Sequence, residues 1–281
     1  MFTRKLLLLT VLSAITTAPT SLSQTNPAES QPAIPAVLPP MGADANPSFE
    51  AVTIKPSDPK ILDKRLGLGG RRFTTQNYTV NDLIVFAYGV NVKQIVGAPV
   101  WFEKDKFDIT GVPDAEGHPS AEQWKTMIQK LMKDRFKLTF HRDKRELAAY
   151  VLTVGKDGPK LARNTSTDSG QGSVNIHLAH DGLMLVAHNE TMAEFTETLQ
   201  HVVVDRPVVD RTGFEGRFDF QLTFAPDGGQ FDGMRLPPTN EDSAAPSLFT
   251  EIQEQMGLRL EPVNTPIEVM VIDHVEEPSP N

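Results

Sequence analysis

Two stretches of this sequence repeat one another, and no other feature narrows the architecture as far. Residues 71–114 and residues 182–227 carry the same landmarks in the same order. Asn77-x-Thr79 answers Asn189-x-Thr191. Lys106-Phe107-Asp108-Ile109 answers Arg217-Phe218-Asp219-Phe220, and Pro113-Asp114 answers Pro226-Asp227. The offset between partners stays within 111 to 113 residues, which small loop changes absorb. A long-period repeat of this kind predicts one supersecondary unit used twice, and it sets the architecture before any local feature is weighed.

Local patterns fill in that unit. Thr79 with Asp82, and Thr191 with Glu194, have the spacing of a capping box at a helix start. Behind the first, Val80, Leu83, Ile84, Ala87 and Tyr88 recur at helical spacing, and Gly89 ends the helix. Behind the second, Met192, Phe195 and Leu199 do the same. A second helix in each unit starts at Ser120-x-x-Gln123, with Trp124, Met127, Ile128, Leu131 and Met132 on one face, and at Pro246, with Leu248, Phe249, Ile252 and Met256 closed by Gly257. Short alternating runs predict strands at 49–55, 72–76, 92–96, 106–110, 136–140 and 147–154, and again at 174–178, 183–187, 207–209, 217–224, 258–261 and 267–275. The run 141–145, His-Arg-Asp-Lys-Arg, reads as a polar turn, and Gly67-x-Gly69-Gly70 as a turn rather than a phosphate loop, because it opens no helix. Each unit is then a hairpin, a helix, two strands, a second helix and a final hairpin. The fold class is α+β, a tandem duplication of a small unit with two helices packed on a mixed, mostly antiparallel sheet. The first unit covers 48–161, a linker 162–173, and the second unit 174–281. Residues 227–245 form a loop rich in Gly, Pro and Asp.

The N-terminus reads as an address. Arg4 and Lys5, an apolar run from Leu6 to Ile15, and Ser21-Leu22-Ser23 before Gln24 have the layout of a secretory signal over 1–23. Residues 24–47, rich in Pro, Ala and Ser, form a disordered spacer. The mature chain would be exported, periplasmic or extracellular. No other run approaches the ~20 apolar residues of a membrane span. With no cysteine, disulfides, thiolate nucleophiles and Cys-ligated zinc are excluded. A net charge of −9 argues against nucleic acid as a partner. From residue 182 onward there are 18 Asp and Glu against 5 Arg and no Lys, a net −13, which leaves +4 for the preceding residues. Drift in solvated surface charge accounts for this split, as does a basic first unit docking on an acidic second.

The segments FEAVTIKPS, NYTVNDLIVFAYG, GAPVW, KFDITG, VDRPVVDRTGFEGRFDFQLTF, GLRLE and EEPSPN resemble an uncharacterised family of exported proteins expanded in soil acidobacteria, over residues 48–281. That family is described as a domain of unknown function, and some members are joined to BlaR1-like membrane peptidases. The resemblance implies export and hints at envelope signalling. It carries no activity, and this chain lacks the HExxH of a peptidase. In outline, GLRLEPVNTPIEVMVIDHV, and DRFKLTFHRDKRELAAYVLTV without the Gly, look like the endings of the short N-terminal domains of secretins and TonB-dependent receptors, which are interaction modules; fold analogy does not transfer function.

Chemistry is sparse. No G-x-S-x-G elbow is present. His177, His180 and His188 could be offered as metal ligands, but three-residue spacing on a strand points side chains to opposite faces, so no metal site and no cofactor is assigned. Asp205, Asp210 and Asp219 alternate with Arg206, Arg211 and Arg217; salt-bridged turns explain them, and acid–base work is the sharper alternative. Trp101 lies in a loop, as a core residue or as an aromatic anchor for a partner. The run 125–145 carries eight Lys and Arg against two Asp, a solvated face or a contact for an anionic partner. The expectation is a non-enzymatic binding protein whose partner is a protein or cell-envelope component, with Trp101, Arg71, Arg72, Asp210 and Arg211 as candidate contacts. A hydrolase with Asp205, Asp210, Arg211 and His201 in a site between the units is one alternative. The sensor portion of a BlaR1-like system is another.

Overall fold

In the computed structural model, the same local device opens both halves. Asn77 and Asn189 sit at φ of 61° and 55°, a left-handed conformation that Asn tolerates better than most residues. Each turns its backbone N–H onto an aspartate, Asn77 to Asp108 at 3.0 Å and Asn189 to Asp219 at 2.8 Å. Two residues later Thr79 and Thr191 cap a helix, each in a reciprocal capping box with Asp82 or Glu194. A second partner of each aspartate also corresponds: Ser57 Oγ donates to Asp108 at 2.6 Å, and Asn164 Nδ2 to Asp219 at 2.9 Å.

The structure describes residues 38–61, 63–165, 172–227, 230–231 and 245–278. The signal assigned to 1–23, most of the spacer, residues 166–171 of the linker and most of the 227–245 loop lie outside them. In chain order the first half contains β1 (Phe49–Pro56), β2 (Arg65–Gly69), β3 (Arg72–Thr79), α1 (Val80–Tyr88), β4 (Ile95–Val96), α2 (Trp101–Lys104), β5 (Lys106–Pro113), α3 (Ala121–Arg135) and β6 (Thr139–Val154). The second contains β7 (Ala162–Arg163), β8 (Ser173–Leu178), β9 (Leu183–Glu190), α4 (Met192–Thr198), β10 (Val208–Asp210), β11 (Phe218–Phe224), α5 (Leu248–Met256) and β12 (Leu258–His274). One sheet runs β1-β5-β3-β2 and another β7-β11-β9-β8, both antiparallel. Among the described residues, five helices over three mostly antiparallel sheets make the class α+β, as the sequence predicts.

The third sheet departs from expectation. The two final hairpins are absent; each is a single long strand. β6 has 16 residues and β12 has 17, and they pair with each other antiparallel from Leu258↔Val154 to His274↔Thr139. Short β10 and β4 flank them in parallel, giving the order β10-β6-β12-β4. The run 141–145 is not a turn but the mid-part of β6, solvated on both faces, so its polarity follows from exposure and not from chain reversal. Arg142 pairs there with Glu268, and His141 with Asp273 at 2.8 Å. β12 runs straight through the gap left between the expected strands 258–261 and 267–275, with Pro262 and Pro266 inside it. Proline is tolerated where a strand's flank needs no N–H, and β4 covers β12 only at Met270 and Val271.

The long strands tie the halves together through their cores. One core packs α1 and α3 on the first sheet. Its centre is Phe73, Trp124, Phe136 and Ile109, with Phe49, Phe73 and Trp124 rings 5.6 to 6.3 Å apart. The other packs α4 and α5 on the second sheet around Phe195, Phe224, Leu222 and Ile252. Leu152, near the end of β6, is buried in the second core, and Met270, near the end of β12, in the first. From residue 38 onward the chain is one compact unit, so the boundary near 162–173 divides two halves of one body.

Smaller differences have local causes. The stretch expected as a loop before Gly70 contains β2, which hairpins onto β3. Trp101 begins the short α2 instead of lying in a loop. Residues 38–47, assigned to the spacer, dock: Met41 N–H donates to His118 O at 2.8 Å, and Gln123 Nε2 to Gly42 O at 2.8 Å.

Two outcomes follow from the exchanged strands. A polypeptide covering 38–161 alone should show no cooperative thermal transition by circular dichroism, and adding 162–281 should restore one. Leu152→Ala should cost about 2–5 kcal/mol in denaturant unfolding, and hydrogen exchange should register the loss in β9 and β11.

Candidate functional site: a cleft between the halves

The residues that converge most closely come from α4 and its flanks. Glu190 ends β9, Glu194 is the third residue of α4, and Glu197 follows one turn on. Glu194 and Glu197, three residues apart, share one face of α4, and the end of β9 brings Glu190 beside them. At Leu199–Val203 the helix widens into a π turn, a feature frequent at functional sites. The π turn carries Gln200 and His201 to the other half. Gln200 Nε2 donates to Gly89 O at 2.9 Å, Asn91 Nδ2 donates to Gln200 O at 2.9 Å, and His201 Nε2 lies 3.1 Å from Val90 O. A carbonyl only accepts, so the ring proton is assigned to Nε2. Phe86 of α1 and Ala121, Glu122 and Lys125 of α3 form the opposite wall of a cleft of about 240 Å³.

Most charges in this cleft are paired. Lys125 Nζ reaches Glu197 at 2.8 Å and Glu122 at 3.1 Å. Burial opposes its charge, but these carboxylates outweigh burial and raise its pKa. Burial also opposes ionisation of Glu194. The Thr191 N–H and hydroxyl, at 2.8 and 3.0 Å, and the Arg217 fork, at 3.0 and 3.4 Å, win and lower its pKa. Burial lowers the pKa of His201, which favours the neutral ring.

Glu190 is the exception. It is 4 % exposed, and its Oε2 is buried with no hydrogen-bond partner. Burial first, and the Glu194 carboxylate second, push its pKa up to about 7. A carboxyl group raised this far within a cleft marks a functional-site candidate.

Of the residues singled out in the sequence, His201 and Arg217 come to the cleft, Arg217 through Glu194, and those that follow lie elsewhere. Asp205 pairs with Arg206 at 2.7 Å and Lys93 at 3.2 Å, and the Arg206 hydrogen bond leads in lowering its pKa to about 2. Asp210 accepts from the Thr212 N–H and hydroxyl, both at 2.8 Å, and closes a turn. Arg211 donates to Thr265 Oγ1 at 3.2 Å. Arg71 donates to Pro113 O at 3.2 Å, while its buried Nε has no partner, and Arg72 is exposed at the start of β3. Trp101 is half-buried, edge-on to Phe102 at 4.8 Å and packed against the first core. His177 and His188 sit at opposite ends of the β8–β9 hairpin, paired with Met184 and Ser173. Among the described residues no group of three or more His, Asp or Glu is arranged to hold a metal ion. The charge split has a structural counterpart in the Lys125–Glu197 and Lys93–Asp205 ion pairs between the halves. A larger hollow of about 490 Å³ beside β1 and β5 has an apolar floor of Ile54 and Phe107 and a rim of Lys55, Lys104 and Lys106. Its buried residue Asn77 already serves the turn before α1, so the smaller cleft is the stronger candidate.

The raised pKa of Glu190 sets a pH dependence. The folded protein holds this proton to about pH 7, while an unfolded chain releases it near 4.3. The folded state therefore binds more protons between those values, and stability falls as pH rises through them. Glu190→Gln removes the penalty. Its unfolding free energy in denaturant should match wild type near pH 4 and exceed it at pH 8, by on the order of 3 kcal/mol.

No curated protein and no solved structure matches this chain. Residues 81–275 match the family described as Protein of unknown function (DUF3738). That span includes every residue lining the cleft, from Phe86 to His201, and both long strands. The chain belongs to the DUF3738 family.

Proposed function

We propose that this DUF3738 protein is an exported, non-enzymatic binding protein of the cell envelope that holds its ligand in the cleft between its halves. The observation that carries this reading is Glu190. Its buried Oε2 has no partner, while the ionic groups around it are already engaged. A prearranged cleft with one buried acceptor left open has the character of a recognition site, because its paired charges need no reorganisation when a ligand arrives. Of the residues offered for hydrolysis, Asp205, Asp210 and Arg211 are bound up in contacts outside the cleft. Export rests on the leader read over 1–23. No helix among the described residues is long and apolar enough to cross a membrane. The matching Asn-Thr-Asp devices of the two halves support descent from a doubled unit, with the cleft formed where the copies meet.

The test is affinity capture from solubilised native envelope using immobilised residues 24–281 beside Thr198→Trp, which fills the cleft. The expected result is an envelope component recovered unchanged by the wild type and lost from the variant. Recovery equal to bare resin, or recovery of a chemically converted product, would sink the reading. Fractionation of the native cell should place the chain outside the cytoplasm.

A further inference from the structure

We infer that the cleft is a seat for a single alkylammonium or guanidinium group, whose N–H donors complete the open carboxyl of Glu190. The inference rests on the binding reading above and names the chemistry of its ligand.

Glu190 Oε2 is enclosed, lines the cleft through its side chain, and has no partner. Above about pH 7, where Glu190 is ionised, the missing partner must be a donor, because a carboxylate accepts only. The charged neighbours are committed. Arg217 of the segment before β11 serves Glu194 and the Asn189 carbonyl. Lys125 of α3 serves Glu122 and Glu197. His201 of the π turn is directed at Val90 O.

Charge then selects among donors. Glu122, Glu194 and Glu197 face two fixed cations, Lys125 and Arg217, so one negative charge is unbalanced before Glu190 is counted. An ionised Glu190 makes two. Anions are repelled by this wall, and a neutral donor leaves the excess in place. A cation removes it, and a buried charge is tolerated when it is paired and hydrogen-bonded. The cleft of about 240 Å³ has room for such a head group and a short stem, with the half-buried Phe86 as its apolar side.

Proton release should accompany binding. In the empty cleft Glu190 keeps its proton up to about pH 7; a cation favours the ionised form, so the proton leaves. Affinity should rise about tenfold per pH unit below 7 and level off above it. Glu122, Lys125, Glu194, Glu197 and His201 line the cleft with this group, and Arg217 adjoins it; burial lowers the pKa of His201 and so favours its neutral ring.

The experiment is titration calorimetry on residues 24–281 with n-butylammonium, with a capped tripeptide carrying a central Lys or Arg, and with 1-butanol as the neutral control. The expected result is saturable 1:1 binding of a cation and none of butanol. Comparing buffers of different ionisation enthalpy should show about one proton released at pH 6 and almost none at pH 8. Glu190→Gln should weaken binding at least tenfold at pH 8 while melting cooperatively. Binding of the peptide alone assigns the seat to a polypeptide side chain, and binding of both shows that a free amine suffices; either result supports the seat. No saturable binding by a folded wild type, equal binding of butanol, or pH-independent affinity without proton release overturns it. Failure here leaves the wider reading distinguishable. If envelope capture is the same for wild type and Glu190→Gln, the cation assignment falls and the binding function stands. If butylammonium binds but nothing is captured, the seat stands and the envelope role falls.

Discussion

The antiparallel ladder between β6 and β12 is the constraint on which the rest of this structure depends. Its backbone bonds join the end of one half to the end of the other, and its two ends enter different cores. Leu152 packs with α4 and α5, Met270 with α1 and α3. Each core is therefore completed by a strand whose helices belong to the opposite half. The middle of the ladder is solvated on β6, while β12 buries Thr265, Ile267 and Val269 along the same stretch, in a register continuous from one core to the other.

Much of the fold was legible because it is local. Capping boxes at Thr79, Ser120 and Thr191, left-handed ends at Gly89 and Gly257, and apolar stripes on α1, α3 and α5 all occur where their spacing places them. The ladder was not legible, for a physical reason. A polar run and two prolines are the usual marks of a turn, and nothing local tells a turn from a strand exposed on both faces and lacking a neighbour on one flank. Long-range pairing decides that question, and residues 139 and 274 meet only in three dimensions.

The cleft was legible in part. His201 was named, although with partners that lie elsewhere. Glu190, Glu194, Glu197 and His201 do form a helical stripe in the sequence, but three glutamates at that spacing usually mark a solvated face. What distinguishes Glu190 is burial against Glu194 with no donor, and that depends on Arg217, Gly172 and the opposite half. The π turn was also unreadable in advance, since one extra residue per turn leaves the apolar pattern almost unchanged.

The crossed strands have a consequence for the order of events during synthesis. The first core waits for Met270, a residue made long after the Phe136 it packs with. At ~5–20 residues per second, adding residues 137 to 270 takes roughly 7–27 s, and through that interval the first hydrophobic centre lacks the strand that completes it. The wiring of the fold thus leaves the earlier half unfinished while the later half is still being made.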